Sequence, residues 1–314
     1  MKHLKLLLVT LVLTVTGVTT MMAERVSEVP LADPYILLDG DTYYIYGTGA
    51  KDGIEYYTSK DLQTWERGGL ALHKDNTTEE QWFWAPEVYY RNGKYYMYYS
   101  ANEHLYVATA NSPCGPFKQV GGRMMKSLIG DEKCIDSSVF QDEDGRLYCY
   151  FVRFTDGNCI WVCELENDGI TPKQGTLKHC FSVSAPWEEK LGRVNEGPFM
   201  VKHKGTYFLT YSANDFRSHD YGVGYATSKS PFGPWVKYEG NPIVQRTDGL
   251  YGTGHHSFFT DKQGKTRIVL HAHHSSTEVY PRGMYIGMMK ISRRKMLILG
   301  QKLLYPNQKH KMTE

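Results

Sequence analysis

The sequence predicts an all-β protein, a five-bladed β-propeller, from its aromatic composition and a five-fold internal repeat. Among 314 residues there are 24 Tyr, 12 Phe and 6 Trp, side chains that suit pleated, half-buried strands. A turn containing glycine is followed five times by a tyrosine-rich or apolar run. These are Asp39-Gly40 before TYYIYGT, Asn92-Gly93 before KYYMYYSA, Asp144-Gly145 before RLYCYFVRF, Lys204-Gly205 before TYFLTYSAN and Gln263-Gly264 before KTRIVLHAHH. The turn glycines stand 52 to 60 residues apart, and self-similarity at such a period marks a repeat architecture. A two-sheet sandwich, the competing all-β reading, leaves that spacing unexplained.

Each repeat opens with a hairpin, because Asn-Gly and Asp-Gly tolerate the positive φ that two-residue turns require. A third strand follows: IEYYTS, HLYVATA, CIWVCEL, YGVGYATS and GMYIGMM. Most repeats then place a Trp or Phe near a fourth strand, as in LQTWERGG, GPFKQV and GPWVKY, and the loops NSPCGPF and SKSPFGPW are near copies of one another. Five four-stranded units read as blades around a central channel. No sustained helical period occurs, and short helices are compatible only with Thr77–Gln81 and Trp187–Leu191.

The N-terminus is set apart from this pattern. Lys2, His3 and Lys5 precede an apolar run from Leu6 to Val15, and small or neutral residues lead to Met22-Ala23. A signal peptide over residues 1–23 is preferred to a membrane anchor, since the run is short for ~30 Å of hydrocarbon. The mature chain, 24–314, is then expected to be one exported propeller, periplasmic or extracellular, with no membrane span. The formal charge of +2, with basic residues clustering only at Arg293-Arg294-Lys295, points away from nucleic acid. Six cysteines lie mid-chain (Cys114, Cys134, Cys149, Cys159, Cys163, Cys180) without metal-site spacing. Export permits disulfides, and buried free thiols are equally compatible, so no pairs are assigned.

The chemistry gathers at the heads of the innermost strands, which face one mouth of the channel. They read A-D-P-Y from Ala32, W-A-P-E-V from Trp84, I-D-S-S-V from Ile135, N-E-G-P-F from Asn195 and G-H-H-S-F from Gly254. Acidic or imidazole groups thus occur at comparable places in all five blades. Each motif alone is as well explained by a turn or an Asx cap. Their conjunction at repeat-equivalent places favours function, because carboxylates sharing one cavity repel and split their pKa values. Glycoside hydrolysis needs such a pair, one acid for the leaving oxygen and one base for water.

At these motifs the sequence resembles glycoside hydrolase family 43. ADPYILLDGDTYYIYGT, WAPEVYYRNGKYYMYYSA, IDSSVFQDEDGRLYCYF, NEGPFMVKHKGTYFLTYSAN and GTGHHSFFTDKQG look like that family's blade signatures, in order from about residue 30 onward. The resemblance implies a five-bladed propeller that inverts arabinosides or xylosides. It implies Asp33 as general base, Glu196 as general acid and Asp136 as the neighbour that orients the acid and keeps its pKa high. Inversion would set the Asp33 and Glu196 carboxyls ~6.5–9.5 Å apart. His255 matches a family histidine near the channel axis that often helps hold a hydrated calcium, water supplying most of the oxygen shell. A channel histidine that only hydrogen-bonds is the equal alternative.

Trp84 is expected to pack an indole face on the sugar, and Arg282, in PRGMYIG, to reach sugar hydroxyls. Glu87 is assigned a structural hydrogen bond, His256 faces away from His255, and His271, His273 and His274 read as packed or rim residues. The leading expectation is an inverting, exo-acting α-L-arabinofuranosidase on plant polysaccharide side chains or oligosaccharides. A β-xylosidase or galactan-cleaving glycosidase is the alternative within the family; many of its xylosidases carry an added C-terminal β-sandwich. A non-catalytic carbohydrate-binding propeller, from another class, would not need Asp33, Asp136 and Glu196 together. A protein-binding scaffold would leave all three unexplained.

Overall fold

The computed structural model describes residues 27–292 and 295–309. The signal-peptide expectation lies outside them, as do Arg293 and Arg294. Five sheets form the five blades, each with four or more antiparallel strands from one contiguous segment, and blade one gains a short parallel strand from the C-terminal end. Their innermost strands are Ala32–Asp39, Trp84–Arg91, Cys134–Gln141, Asn195–His203 and Gly254–Thr260. Second strands run Thr42–Thr48, Lys94–Ala101, Leu147–Arg153, Thr206–Ala213 and Thr266–Ala272. The outer edges are short in blades two to four, for example Lys118–Val120 and Val236–Lys237, which limits unpaired backbone.

The hairpin turns are more varied than the Gly dipeptides suggest. Both central residues are left-handed at Asn92-Gly93 and Lys204-Gly205, as expected. In blade one the turn shifts to Gly40-Asp41, since Asp39 pairs Thr42. Blades three and five use longer loops, Asp142 N–H donating to Arg146 and Asp261 N–H to Lys265, both at 2.9 Å. An extra residue there needs one left-handed glycine, not two left-handed positions. The short helices also differ: 3₁₀ turns occur at Lys74–Asn76 and Pro186–Glu188, and one α-helical turn at Lys126–Ile129.

A single blade cannot bury both faces, so the apolar faces meet between neighbours. One cluster packs Ile54, Tyr46 and Leu72 of blade one on Met97 and Tyr99 of blade two. Comparable clusters fill each remaining seam, including blade five against blade one through Met284, Val269, Ile45 and Trp65. The tyrosine excess acquires a reason here. Tyr46, Tyr98 and Tyr150 occupy one repeat position on the second strands, and each hydroxyl crosses to the next blade. They donate to the carbonyls of Pro113 at 2.6 Å, Gly169 at 2.7 Å and Pro231 at 2.7 Å. Pro113 and Pro231 lie in the duplicated NSPCGPF and SKSPFGPW loops. A buried phenol needs such a partner. All six cysteines are free thiols, and four are buried.

The ring closes at blade one, where backbone bonds and one short strand join the two ends of the described chain. Met284 N–H donates to Val29 and Glu28 N–H to Pro306. Asn307–Gln308 adds a parallel strand to Thr64–Trp65, extended by Lys309 N–H to Trp65 O at 2.7 Å. Truncation after Leu304 should therefore lower Tm by about 5 °C. Calorimetry of the shortened chain checks this; an unchanged Tm would show that core packing alone closes the ring.

Candidate active site

The head of every innermost strand carries the same irregularity. Two residues there oppose one on the second strand: Asp33-Pro34, Ala85-Pro86, Asp136-Ser137, Gly197-Pro198 and His255-His256. The first residue of each pair is left-handed, with φ of 50°, 44°, 56°, 52° and 44° in that order. Such bulges bend a strand and re-aim its side chains, and left-handed Ala, Asp or His costs energy that the surroundings must supply. This corrects the expectation of one shared acidic position. Asp33, Asp136 and His255 do occupy equivalent bulge positions, whereas Glu196 precedes its bulge by one residue and Glu87 follows its own by two.

The bulge N–H leaves its own sheet and is satisfied by the preceding blade. Ala85 N–H donates to Thr48 Oγ1 at 3.0 Å, Asp136 N–H to Ser100 Oγ at 3.0 Å and His255 N–H to Ser212 Oγ at 2.8 Å. Asp33 N–H reaches His271 Nδ1 at 3.1 Å. All four acceptors sit at one repeat position of the second strand. In blade three that position is Val152, paired to Ile135, which has no acceptor. There the Asp136 carboxylate substitutes, Oδ2 accepting from Gly197 N–H at 3.1 Å.

All six expected site residues, Asp33, Trp84, Asp136, Glu196, His255 and Arg282, line one open cleft of about 420 Å³. Thr48 donates to Asp33 Oδ2 at 2.6 Å and Arg282 Nη1 to Oδ1 at 3.2 Å. His255 Nδ1 and His271 Nδ1 each stand 3.3 Å from Oδ1. Burial raises the Asp33 pKa, but His255, Arg282 and His271 outweigh it and hold the carboxyl well below its usual range. Burial also keeps both imidazoles below their usual pKa, His271 at about 3. At neutral pH the guanidinium thus supplies the positive charge, and Asp33 is ionised.

Glu196 meets the opposite environment. Its Oε1 accepts from Tyr221 O–H at 2.8 Å and its Oε2 from Asn158 Nδ2 at 3.2 Å. Burial is the main cause that lifts its pKa to about 7, with Asp33 and Asp215 adding repulsion. Asp136, buried beside both other carboxylates, is pushed well above its usual range by burial, Glu196 and Asp33. Two neighbouring carboxyl groups are therefore divided into one firmly ionised and one able to carry a proton, the pattern of an acid and base pair. Behind Glu196, buried Glu188 and Lys237 pair at 2.7 Å, and Lys237 also donates to Asn195 Oδ1 at 3.0 Å.

Several contributors escaped the sequence reading. His271 is packed, as expected, yet it touches both Asp33 and Arg282. Asn158 and Tyr221 come from segments outside the innermost strands. Aromatic side chains surround the carboxylates from four blades. Trp84 stacks on exposed Trp82 at 5.7 Å, Phe154 and Tyr280 are exposed, and Phe216 lies 4.6 Å under the Arg282 guanidinium. His256 points away from the cleft, its Nε2 2.6 Å from Thr210 Oγ1, and Glu87 accepts from Tyr89.

Calcium at His255 finds little support in these donors. Among the described residues no group of three His, Cys, Asp or Glu side chains is arranged around a common point. The channel space below the cleft, lined by Pro34, Glu87, Ser137 and His256, has room for about one water molecule. Ser137 Oγ and His256 Nδ1 are buried there without protein partners, a polar lining that fits a water. Six to eight oxygens around calcium would exceed it, so the residues present do not fit a resident ion.

Residues 24–293 match the family described as Glycosyl hydrolases family 43. The chain belongs to glycoside hydrolase family 43. It is similar to the crystal structure of an endo-1,4-β-xylanase from Bacteroides thetaiotaomicron, with 44% identity and a TM-score of 0.85 over 90% of this chain and 98% of that one. A β-D-galactofuranosidase of Aspergillus niger shares 32% identity over 76% of this chain and 73% of its own length. An extracellular exo-α-(1→5)-L-arabinofuranosidase of Cellvibrio japonicus shares 26% over 81% and 82%. This family 43 member is accordingly a glycosidase acting on carbohydrate. Among the described residues no helix is long and apolar enough to cross a membrane.

The raised Glu196 pKa has a thermodynamic consequence. The folded state holds this proton up to about pH 7, whereas the unfolded state releases it near the ordinary carboxyl value of 4.5. Stability attributable to Glu196 is thus full below pH 4.5 and lost as pH rises through 7. Glu196→Gln should be more stable than the parent by roughly 1–3 kcal/mol at pH 8, and this advantage should vanish by pH 4. Denaturant unfolding at both pH values measures it.

Proposed function

We propose that this glycosidase is an inverting, exo-acting α-L-arabinofuranosidase on plant polysaccharide side chains or oligosaccharides. The observation that carries the reading is the division of labour between Asp33, ionised beside Arg282, and Glu196, protonated near pH 7. In this mechanism Asp33 takes a proton from water as the water oxygen bonds the anomeric carbon. The glycosidic C–O bond breaks on the other side, and the Glu196 proton passes to the departing oxygen. Asp136, through Gly197 N–H, orients the acid, while the charges of Asp33 and Asp215 disfavour its ionised form. Both Asp33 oxygens are engaged by protein groups, which suits polarising a water more than direct attack on carbon.

Aromatic side chains on four sides of the carboxylates favour enclosing a terminal sugar over threading a long chain. Trp84 would support the ring, and Arg282, anchored on Asp33, would reach its hydroxyls. A galactofuranosidase reading is the alternative that one relative's name favours. It is chemically close, since β-D-galactofuranose and α-L-arabinofuranose share their ring configuration. β-Xylosidase activity is the other member of the set, given the xylanase likeness. Export rests on residues 1–23 and on relatives named extracellular.

Turnover of a panel of aryl α-L-arabinofuranoside, β-D-xyloside, β-D-galactoside and β-D-galactofuranoside should be fastest on the arabinofuranoside. The first-formed product observed by NMR should have inverted anomeric configuration. Asp33→Asn and Glu196→Gln should each lower kcat on an unactivated arabino-oligosaccharide by about 10²-fold or more with the fold retained. Near-parental rates in either variant, or a retained anomer, would sink the assignment.

A further inference from the structure

We propose that Tyr221 is a positioning residue that fixes the transferable proton of Glu196 on Oε2, and that Gly254 is the position that admits its ring. The inference rests on Glu196 acting as the general acid. Tyr221 directly precedes the third strand of blade four, Gly222–Ser228, and is fully buried. Its hydroxyl donates to Glu196 Oε1 at 2.8 Å. Its ring lies parallel to His271, with centroids 5.6 Å apart and 12° between planes. His271 Nδ1 is in turn 3.3 Å from Asp33 Oδ1. One aromatic stack therefore touches both carboxylates from behind the cleft wall.

The hydrogen-bond inventory makes the assignment specific. A phenol has one proton, and burial pushes the Tyr221 pKa well above its usual value, so it remains a donor. An oxygen receiving that hydrogen bond acts as the carbonyl-like acceptor of a neutral carboxyl group, and the acid proton resides on the other oxygen. That other oxygen, Oε2, accepts the longer bond from Asn158 Nδ2, 3.2 Å against 2.8 Å, on a lone pair that a hydroxyl oxygen keeps, and Asn158 lines the cleft whereas Tyr221 does not. The proton is thus held on the side where a leaving group would sit.

The ring's seat is visible in the glycine before the blade-five bulge. A Cβ on Gly254 would lie 2.3 Å from Tyr221 Cε1 and 2.4 Å from its Cδ1, closer than real side-chain contacts. The repeat-equivalent positions in the other blades carry Ala32, Trp84, Ile135 and Glu196. Gly254 has no positive φ to require glycine. Its missing side chain is explained by the tyrosine it accommodates.

Tyr221→Phe keeps the ring and its stacking while deleting the donor. The test compares two arabinofuranosides, or two glycosides of whichever panel sugar is cleaved. One has a 2,4-dinitrophenyl leaving group that departs without protonation, and the other a sugar leaving group that needs it. Tyr221→Phe should lose about tenfold in kcat on the sugar leaving group and change little on dinitrophenyl, with KM steady. Its basic limb should move to higher pH, because the lost hydrogen bond favoured ionised Glu196. Equal losses on both substrates with the limb unmoved would reduce Tyr221 to packing and overturn the proposal. Glu196→Gln, run in parallel, should show the same leaving-group contrast more strongly. If it shows none, the general-acid reading fails, and the proposal with it.

Discussion

The bulge at the head of each innermost strand is the constraint on which the rest of this molecule depends. It removes one backbone N–H per blade from the sheet ladder, deep in the ring where water cannot replace the lost partner. Each orphan is taken up by the preceding blade, through Thr48, Ser100, Ser212 and His271, or by Asp136 where Val152 cannot accept. The left-handed backbone that supplies strain also aims Asp33, Asp136 and His255 together. Blade-to-blade bonding and site geometry are therefore one device. Asp136 shows the overlap most clearly, since one carboxylate both completes the ring of acceptors and faces the acid.

Burial is then used in opposite senses a few residues apart. Asp33 is buried against a guanidinium and two imidazoles, so desolvation is overcome and it stays ionised. Glu196 is buried against a phenol and an amide, which satisfy its oxygens without neutralising charge, so it holds its proton. The two environments come from different blades, and neither exists in the sequence neighbourhood of its carboxylate. Arg282, for instance, follows Asp33 by most of the chain length and is brought beside it only when the ring closes.

This explains what the sequence could and could not reveal. Repeat spacing exposed the blades, because the main strands of each come from one contiguous segment with its own turn glycine. Asp33, Asp136, Glu196, His255, Trp84 and Arg282 were legible through strand-head motifs and family resemblance, and they share one cleft. Their relative register was not legible, since a two-for-one bulge shifts Glu196 and Glu87 away from the position that Asp33 and Asp136 share. Tyr221 and Asn158 had no motif to advertise them; their significance arises from contacts between strands distant in sequence. His271 passed for a packed histidine because its burial is real and its charge partners come from elsewhere. The nearest sequence signal for Tyr221 was the glycine opening G-H-H-S-F, and only the ring above it gives that glycine meaning.

The way the ring closes carries a topological consequence. Glu28 and Pro306 are joined by one backbone hydrogen bond of 2.9 Å, and Gln308 N–H reaches the Glu28 carboxylate at 3.0 Å. The two ends of the described chain thus meet at blade one, and only the two-residue strand Asn307–Gln308 crosses to it from the C-terminal side. Such a ring has no privileged starting blade. A short linker between those ends, with a cut in another inter-blade connection, would make a circular permutant that keeps all five sheets. The order of the blades along the chain is a historical choice of origin; their order around the axis is what the chemistry requires.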